Sequence, residues 1–408
     1  MKMSPKFKYI NLFIGVLLIN NFQYAQNNYS GTGSVTQGLA ITTNSNIFPG
    51  CTGARTANIG TITSSDSISW TVPAQTNFLS NNFLPDLYNQ CAGITPSNIS
   101  GVNINNIPVT TIDLDGDTII GYILGDNYYE MYINGVFVGS DPVPYTPFNS
   151  SIVKFKVSRP YTIAFKLVDW EENLGLGSEN NNGNLFHAGD GGFIAYFSDG
   201  IITDQNWKAQ TYYISPIEDL SLVKELPDNT RSTLGASSSP SCNTNCFGVH
   251  FEIPSNWMDK NYNDSLWPNA ITYSPSTVGV NFPAYNNFSS IWSDSKFIWS
   301  SNLVLDNLVL IRRKVEITDH LNKLNENDFK IINPFNDKIK IIAPIKLQNC
   351  SGKLLNSSGE KIIEWEKINF DENAICELEL LTKINDDHYF LSILYQEKEY
   401  VFKLNKSN

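Results

Sequence analysis

The chain has 408 residues, 41% of them hydrophobic, and a formal net charge of -12 at pH 7. That length supports two or three domains with cores of their own. The negative balance repels nucleic acid and anionic membrane surfaces, so neither is an expected partner.

In chain order, the first element is of export type. Lys2, Lys6 and Lys8 precede an apolar run from Tyr9 to Ile19, and Tyr24-Ala25-Gln26 offers a small residue to a signal peptidase. The run is shorter than the roughly 20 apolar residues of a spanning helix, and no later segment approaches that length. Residues 1–25 therefore read as a secretory signal, with Gln26 as the mature start. Losing its three lysines lowers the charge of -12 by 3, to -15. Residues 26–50 are rich in Asn, Ser, Thr and Gly and read as a flexible lead-in with too little apolar surface to order itself.

Short alternating runs follow: Ser67 to Val72, Thr118 to Leu124, Ile152 to Val157, Tyr161 to Val168 and Gly192 to Phe197. Gly, Pro and Asn punctuate them, and no helical period of useful length precedes residue 316. The expected fold is all-β, a jelly-roll β-sandwich over 51–227. Residues 228–246, where apolar residues nearly vanish, form a linker or a long loop. Strands resume over 247–320, either completing that sandwich or flanking it. From 321 to 408 only Gly352 and Gly359 remain of 26 glycines, while 12 of 28 basic residues lie there, which marks a separate small domain.

Six cysteines fall into local pairs, and in an exported chain Cys51–Cys91 and Cys242–Cys246 are the expected disulfides. Cys350 and Cys376 form a weaker third pair, because Cys376 opens an alternating run and also suits a buried apolar position. No Cys-x-x-Cys and no His pair offers a zinc pattern.

Two stretches raise the question of metal. "DLDGDT" (113–118) alternates aspartates, but Thr118 and Leu124 stand where a calcium loop of the EF-hand type needs other ligands. A hairpin turning at Asp115-Gly116 between Thr110 to Leu114 and Thr118 to Leu124 is preferred. "VDWEENLGLGSENNNGNLFHAGDGG" (168–192) joins two strands by a long loop, and such loops are usually functional or disordered. Asp169, Glu179 and Asp190 suit calcium as a cofactor. Trp170, Glu171, Glu172 and His187 suit a sugar, the ring offering a flat apolar face and the polar groups binding hydroxyls. The plainer alternative is a solvated acidic loop with Trp170 buried as an anchor.

The stretch "DNYYEMYINGVFVG" (126–139) is a β-hairpin turning at Asn134-Gly135. One face carries Tyr128 and Tyr132, the other Tyr129, Met131 and Ile133. If the second face packs inward, Tyr128 and Tyr132 form an exposed aromatic pair fit for carbohydrate. Trp207, Trp257, Trp267, Trp292 and Trp299 are further stacking candidates, although most aromatics of a sandwich fill its core.

The hairpin, its continuation through Tyr145, Pro147 and Phe148, and "YTIAFKLVDW" (161–170) resemble the sugar-binding jelly-roll domains of β-galactosidase-like and rhamnosidase-like glycoside hydrolases, which share the galactose-binding-like fold. "YNDSLWPNA" (262–270) and "FIWSSNLVLDNLVLIRRKV" (297–315) are similar to two further pieces of those domains. There they precede the hairpin, whereas here they follow it. The resemblance therefore implies one permuted sandwich or two adjacent ones. The last 85 or so residues resemble the C-terminal sorting domain of type IX secretion cargo from Bacteroidetes, through "DFKIINPFNDKIKI" (328–341), Gly352-Lys353-Leu354 and "HYFLSILYQEKEYVFKLNK" (388–406). Ile332 stands where Tyr-Pro is usual, and Asp387-His388 replaces a usual Gly. This second resemblance implies a small C-terminal immunoglobulin-like β-sandwich and the type IX secretion machinery as a partner.

The expected function is a secreted or outer-membrane-surface protein that binds a glycan or polysaccharide without catalysis. The alternatives are a glycan-active hydrolase or lyase using carboxylates of the 169–190 loop, and a structural adhesin. No Gly-x-Ser-x-Gly, His-Glu-x-x-His or phosphate loop occurs, and His187, His250, His320 and His388 are too scattered to propose a triad.

Overall fold

The computed structural model describes residues 29–49, 51, 55–145, 149–170, 174–175, 186–316, 325–345, 347–371, 373–380, 384, 387–395 and 398–407. The proposed signal, Pro147, Phe148, Glu171, Glu172, Glu179 and His320 lie outside the described residues.

Strands dominate, as the period-2 runs dictate. A front sheet runs, in spatial order, Ser34–Gln37, Phe247–His250, Lys208–Ile217, Asp306–Val315, Tyr161–Val168, Tyr128–Ile133 and Val136–Ser140. A back sheet runs Ile271–Tyr273, Phe297–Trp299, Gly192–Phe197, Asp117–Asp126, Asn149–Val157 and Asp86–Asn89. The late strands sit inside these sheets: Asp306–Val315 pairs Tyr161–Val168 on one side and Lys208–Ile217 on the other. Residues 247–316 therefore complete one sandwich, and the residue order that the sequence reading left open is that of a single body.

Between the sheets lies a core containing Tyr129, Met131, Ile133, Phe165, Phe193 and Ile311. The front sheet is buried on its other face as well. There Tyr128, Tyr132, Ala164, Val168 and Leu310 pack with Ile59, Val72, Phe78, Trp257 and Trp267. The covering layer is a three-stranded sheet of Ile41–Asn44, Ile59–Thr63 and Ser69–Val72, together with the chain around 254–267. Arg312, 1% exposed, fastens that chain: its Nε donates to Asp264 at 2.8 Å and its Nη2 to the Asp259 carbonyl at 3.1 Å.

Three expectations change. The lead-in is ordered from residue 29: Ser34–Gln37 pairs antiparallel with Phe247–His250, so its backbone satisfies a sheet edge and does not depend on its own apolar content. Residues 109–124 are not a hairpin. Val109–Thr111 and Asp117–Asp126 both pair with Asn149–Val157, the first parallel and the second antiparallel. Gly116 crosses the end of that strand where a Cβ would stand 2.3 Å from the Val157 carbonyl carbon, so only glycine fits. Residues 228–246 are a packed loop rather than a linker, with Thr233 buried and Arg231–Ser232 paired to Lys224–Glu225.

Cys51–Cys91 and Cys242–Cys246 are disulfide-bonded, as expected, while Cys350 and Cys376 are free. The C-terminal part is a body of antiparallel strands with its own core of Phe335, Ile339, Leu354, Phe370, Leu391 and Leu404. One sheet runs Lys330–Ile331, Lys338–Ile342 and Ile375–Glu379; the other runs Lys361–Phe370, Leu347–Asn356, His388–Tyr395 and Lys398–Asn405.

Candidate functional site

The hairpin forms as expected: Asn134 and Gly135 have φ of 51° and 85°, the left-handed pair that a two-residue turn of this kind requires. Its faces are not as expected. Tyr128 is 1% exposed and Tyr132 6%, so the aromatic pair is buried, because the front sheet carries a second layer over the face opposite Tyr129, Met131 and Ile133. Between the two rings lies Glu130, whose side chain is fully buried. It accepts from Tyr128 Oη at 3.1 Å, Tyr132 Oη at 2.7 Å and the Asn77 side chain at 3.0 Å, and pairs with Lys166 Nζ at 3.1 Å. Lys166 stands directly opposite on the neighbouring strand. Burial and the adjacent Glu130 charge push both tyrosine hydroxyls well above their ordinary range, so they stay protonated donors. The cluster is a buried clasp.

Trp170 is likewise core. Its indole donates to the Asn58 carbonyl at 2.8 Å, and its ring meets Tyr128 edge-on at 5.7 Å. Asp169 is buried, and its backbone N–H donates to the Asn307 carbonyl. His187 and Asp190 are half-buried and do come together, lining a shallow groove of about 600 Å³ with Tyr273, Thr277 and Asn302. Among the described residues, no three His, Cys, Asp or Glu side chains converge as a metal-holding group. Trp207, Trp257, Trp267, Trp292 and Trp299 are all buried.

A larger cavity lies elsewhere. A cleft of about 800 Å³ lies where the covering hairpin ending in Ser69–Val72 meets the front sheet and the chain after His250. At its wall is Trp70, half-buried, on the same face of its strand as the buried Val72 two residues on. The indole is fixed from two directions. Its N–H donates to Ser64 Oγ at 3.1 Å, and its ring stacks on His250 with centroids 5.1 Å apart and planes 18° from parallel. His250 in turn stacks on Tyr213 at 4.6 Å and 15°, and its Nε2 lies 2.9 Å from Thr36 Oγ1. Burial drops the His250 pKa to about 3, so the ring is neutral at physiological pH.

Polar groups surround this stack. Asp66 is exposed and accepts from Ser34 Oγ at 2.6 Å and from Ser64 Oγ; these two hydrogen bonds hold its carboxyl below the usual range. Glu252 and Gln75 are exposed on the lining, and Lys166 reaches it from the clasp while donating to the Gln75 carbonyl at 2.9 Å. Trp257 forms part of the wall and packs edge-on against Tyr132 at 5.4 Å. The outer face of the 128–140 hairpin thus supports the cleft from below. Trp70, Asp66, His250 and Glu252 are not among the binding residues that the sequence suggests. The pattern Ser64-x-Asp66 before an alternating strand with a tryptophan was the one local signal.

The fold and the cavity define an all-β sandwich with an aromatic-walled, polar-rimmed cleft. No family model and no curated protein matches the chain. Among solved structures it is similar to β-D-glucuronidase of Dictyoglomus thermophilum, at 10% identity over 92% of this chain and 44% of that one, with a TM-score of 0.13. It is also similar to the β-glucuronidase of Faecalibacterium prausnitzii, at 9% identity over 94% and 46%, with a TM-score of 0.16. A third is the enzyme of Ruminococcus gnavus, at 10% identity over 73% and 47%, with a TM-score of 0.14. The chain spans less than half the length of these enzymes, and likeness at this level carries no inference about activity. Among the described residues no helix is long and apolar enough to cross a membrane.

Proposed function

We propose that the chain is an exported carbohydrate-binding β-sandwich whose site is the Trp70 cleft, and that it acts without catalysis. The observation that carries the reading is the immobilised, half-buried indole at the wall of an 800 Å³ cleft, flanked by the Asp66 carboxylate, held by Ser34 and Ser64, and by the exposed Gln75 and Glu252 side chains. A pyranose ring offers an apolar C–H face to stack on an indole and hydroxyls to hydrogen-bond at its rim. A rigid platform binds at low entropic cost.

Export rests on the signal-like residues 1–25 and on the resemblance of residues 321–408 to sorting domains, which together favour a secreted or surface protein handled by the type IX machinery. Calcium at the 169–190 loop stays part of the proposal only through Asp169, Glu179 and Asp190, the ligands its sequence offers. The test of the main reading is a glycan array probed with the full mature chain, paired with a reducing-sugar assay on every hit. Binding without sugar release supports the proposal. Release of reducing ends overturns the non-catalytic part, and an array without hits overturns the whole.

A further inference from the structure

We propose that the cleft selects glycans free of acidic groups and rejects uronates, an inference that rests on the carbohydrate reading above. It follows from a census of the charges that face the cavity. Lining it are two exposed carboxylates, Asp66 and Glu252, and two basic side chains, Lys166 and His250. Neither basic group offers a cation to a ligand. Lys166 is bound to the buried Glu130 at 3.1 Å and to the Gln75 carbonyl, and only 12% of its side chain is exposed. His250 is neutral and clamped between Trp70 and Tyr213.

The next charges out are also spoken for. Arg231 lies over the ring of Phe251, a lining residue, with its guanidinium 3.6 Å from the ring centroid, and donates to the Thr211 carbonyl. Glu225 accepts from the amide of Thr32, a lining residue, at 2.6 Å and from the Tyr29 hydroxyl at 2.8 Å. A ligand carboxylate entering here meets two like charges and no available counter-charge. It also loses hydration without a bidentate partner of the kind that Arg supplies in anion sites. Hydroxyls, in contrast, find carboxylate acceptors in Asp66 and Glu252, and hydrogen bonds to carboxylates are stronger than neutral ones. Two like charges several ångströms from a uronate at a partly hydrated surface weaken binding by about tenfold at low salt.

The test compares oligomers of glucuronate, mannuronate and galacturonate with the same oligomers after reduction of the carboxyl to the alcohol, so that each pair differs only in charge. Titration calorimetry is run on the mature chain and on the Asp66→Asn/Glu252→Gln variant, with melting curves to show that both are folded. For the backbone that binds, the reduced form is expected to bind about tenfold more tightly. That ratio should shrink several-fold in the variant and at high ionic strength. A uronate that binds as tightly as its reduced partner overturns the inference while leaving the carbohydrate reading intact. So does a ratio that the variant leaves unchanged, since the discrimination then lies elsewhere. Failure of all six oligomers and of the glycan array together counts against the carbohydrate reading itself, and the inference falls with it.

Discussion

Trp70 lies nearly flat on His250, with ring centroids 5.1 Å apart, and His250 lies as flat on Tyr213 beneath it. The stack runs from a half-buried indole to a buried phenol and joins the covering sheet to the front sheet. Its middle ring must stay neutral, because protonation would place a charge in a site 3% exposed. The consequence is a defined acid sensitivity. An imidazole that titrates near 6.5 in the unfolded chain and at about 3 in the folded one binds a proton only in the unfolded state across that interval. Stability attributable to His250 is therefore complete above about pH 6.5 and is lost as the pH falls toward 3. His250→Phe, which keeps a stacking ring, should flatten the pH dependence of unfolding between pH 7 and 4.5 relative to the wild type, as read by urea denaturation. An unchanged slope would mean that the ring is solvated.

Asp306 carries the opposite sign. It is fully buried, accepts from Ser300 at 2.5 Å and Thr211 at 3.0 Å, and burial raises its pKa to about 7. The folded state then holds a proton that the unfolded state gives up near pH 4, so stability is greatest below about pH 4 and declines as the pH rises through 7. Asp306→Asn, which keeps an acceptor for Ser300 and Thr211, should lose less stability relative to the wild type at pH 8 than at pH 4.5. Denaturation midpoints at the two values decide it. A constant difference contradicts a protonated native Asp306.

The clasp at Glu130 predicts a symmetrical result for the hairpin. Removing the carboxylate leaves Lys166 without its partner, and truncating either tyrosine opens a cavity. Glu130→Ala, Tyr128→Ala and Tyr132→Ala should each cost about 3 to 5 kcal/mol. Met131→Ala and Ile133→Ala, on the opposite face, should cost about 2 to 5 kcal/mol. The check is thermal and chemical denaturation of the five variants. A tyrosine variant as stable as the wild type would show that the covering layer is not packed on that face.

The two disulfides should differ in worth. Cys51–Cys91 closes a loop with a sequence separation of 40, whereas Cys242–Cys246 spans 4. Replacing the first pair by Ala should cost about 2 to 4 kcal/mol, and the second distinctly less, because loop-closure entropy grows with length. Melting curves of the two double variants test the order, and equal losses would contradict it.

The strands were legible because period-2 runs between turn residues mark extended chain whatever covers it. Tyr161–Val168 and Gly192–Phe197 fall where the pattern placed them, and Asn134-Gly135 turns as its dipeptide requires. Which face of a strand is wet was not legible. Alternation separates two faces without saying that either meets solvent, and in the front sheet neither does at Tyr128 to Ile133. The Asp115-Gly116 step misled for a related reason. A turn-forming pair fixes a bend, while the partner of each flanking strand is set by distant packing, here against Asn149–Val157. The cleft was hidden because its parts are local only in pairs: Ser64, Asp66 and Trp70 are close in sequence, but His250 and Glu252 come from a segment far later in the chain.

The most direct measurement is a calorimetric titration of the best glycan-array ligand into the wild type and Trp70→Ala, with a melting curve for each. Trp70 is half-buried at the edge of the core, so the melting curve establishes that the variant is folded before its affinity is compared. Losing a stacking contact worth on the order of 1 kcal/mol should weaken binding several-fold, while Tyr273→Phe, in the separate groove beside His187, leaves the affinity unchanged. Undiminished affinity in a folded Trp70→Ala protein would contradict the assignment of the cleft as the binding site.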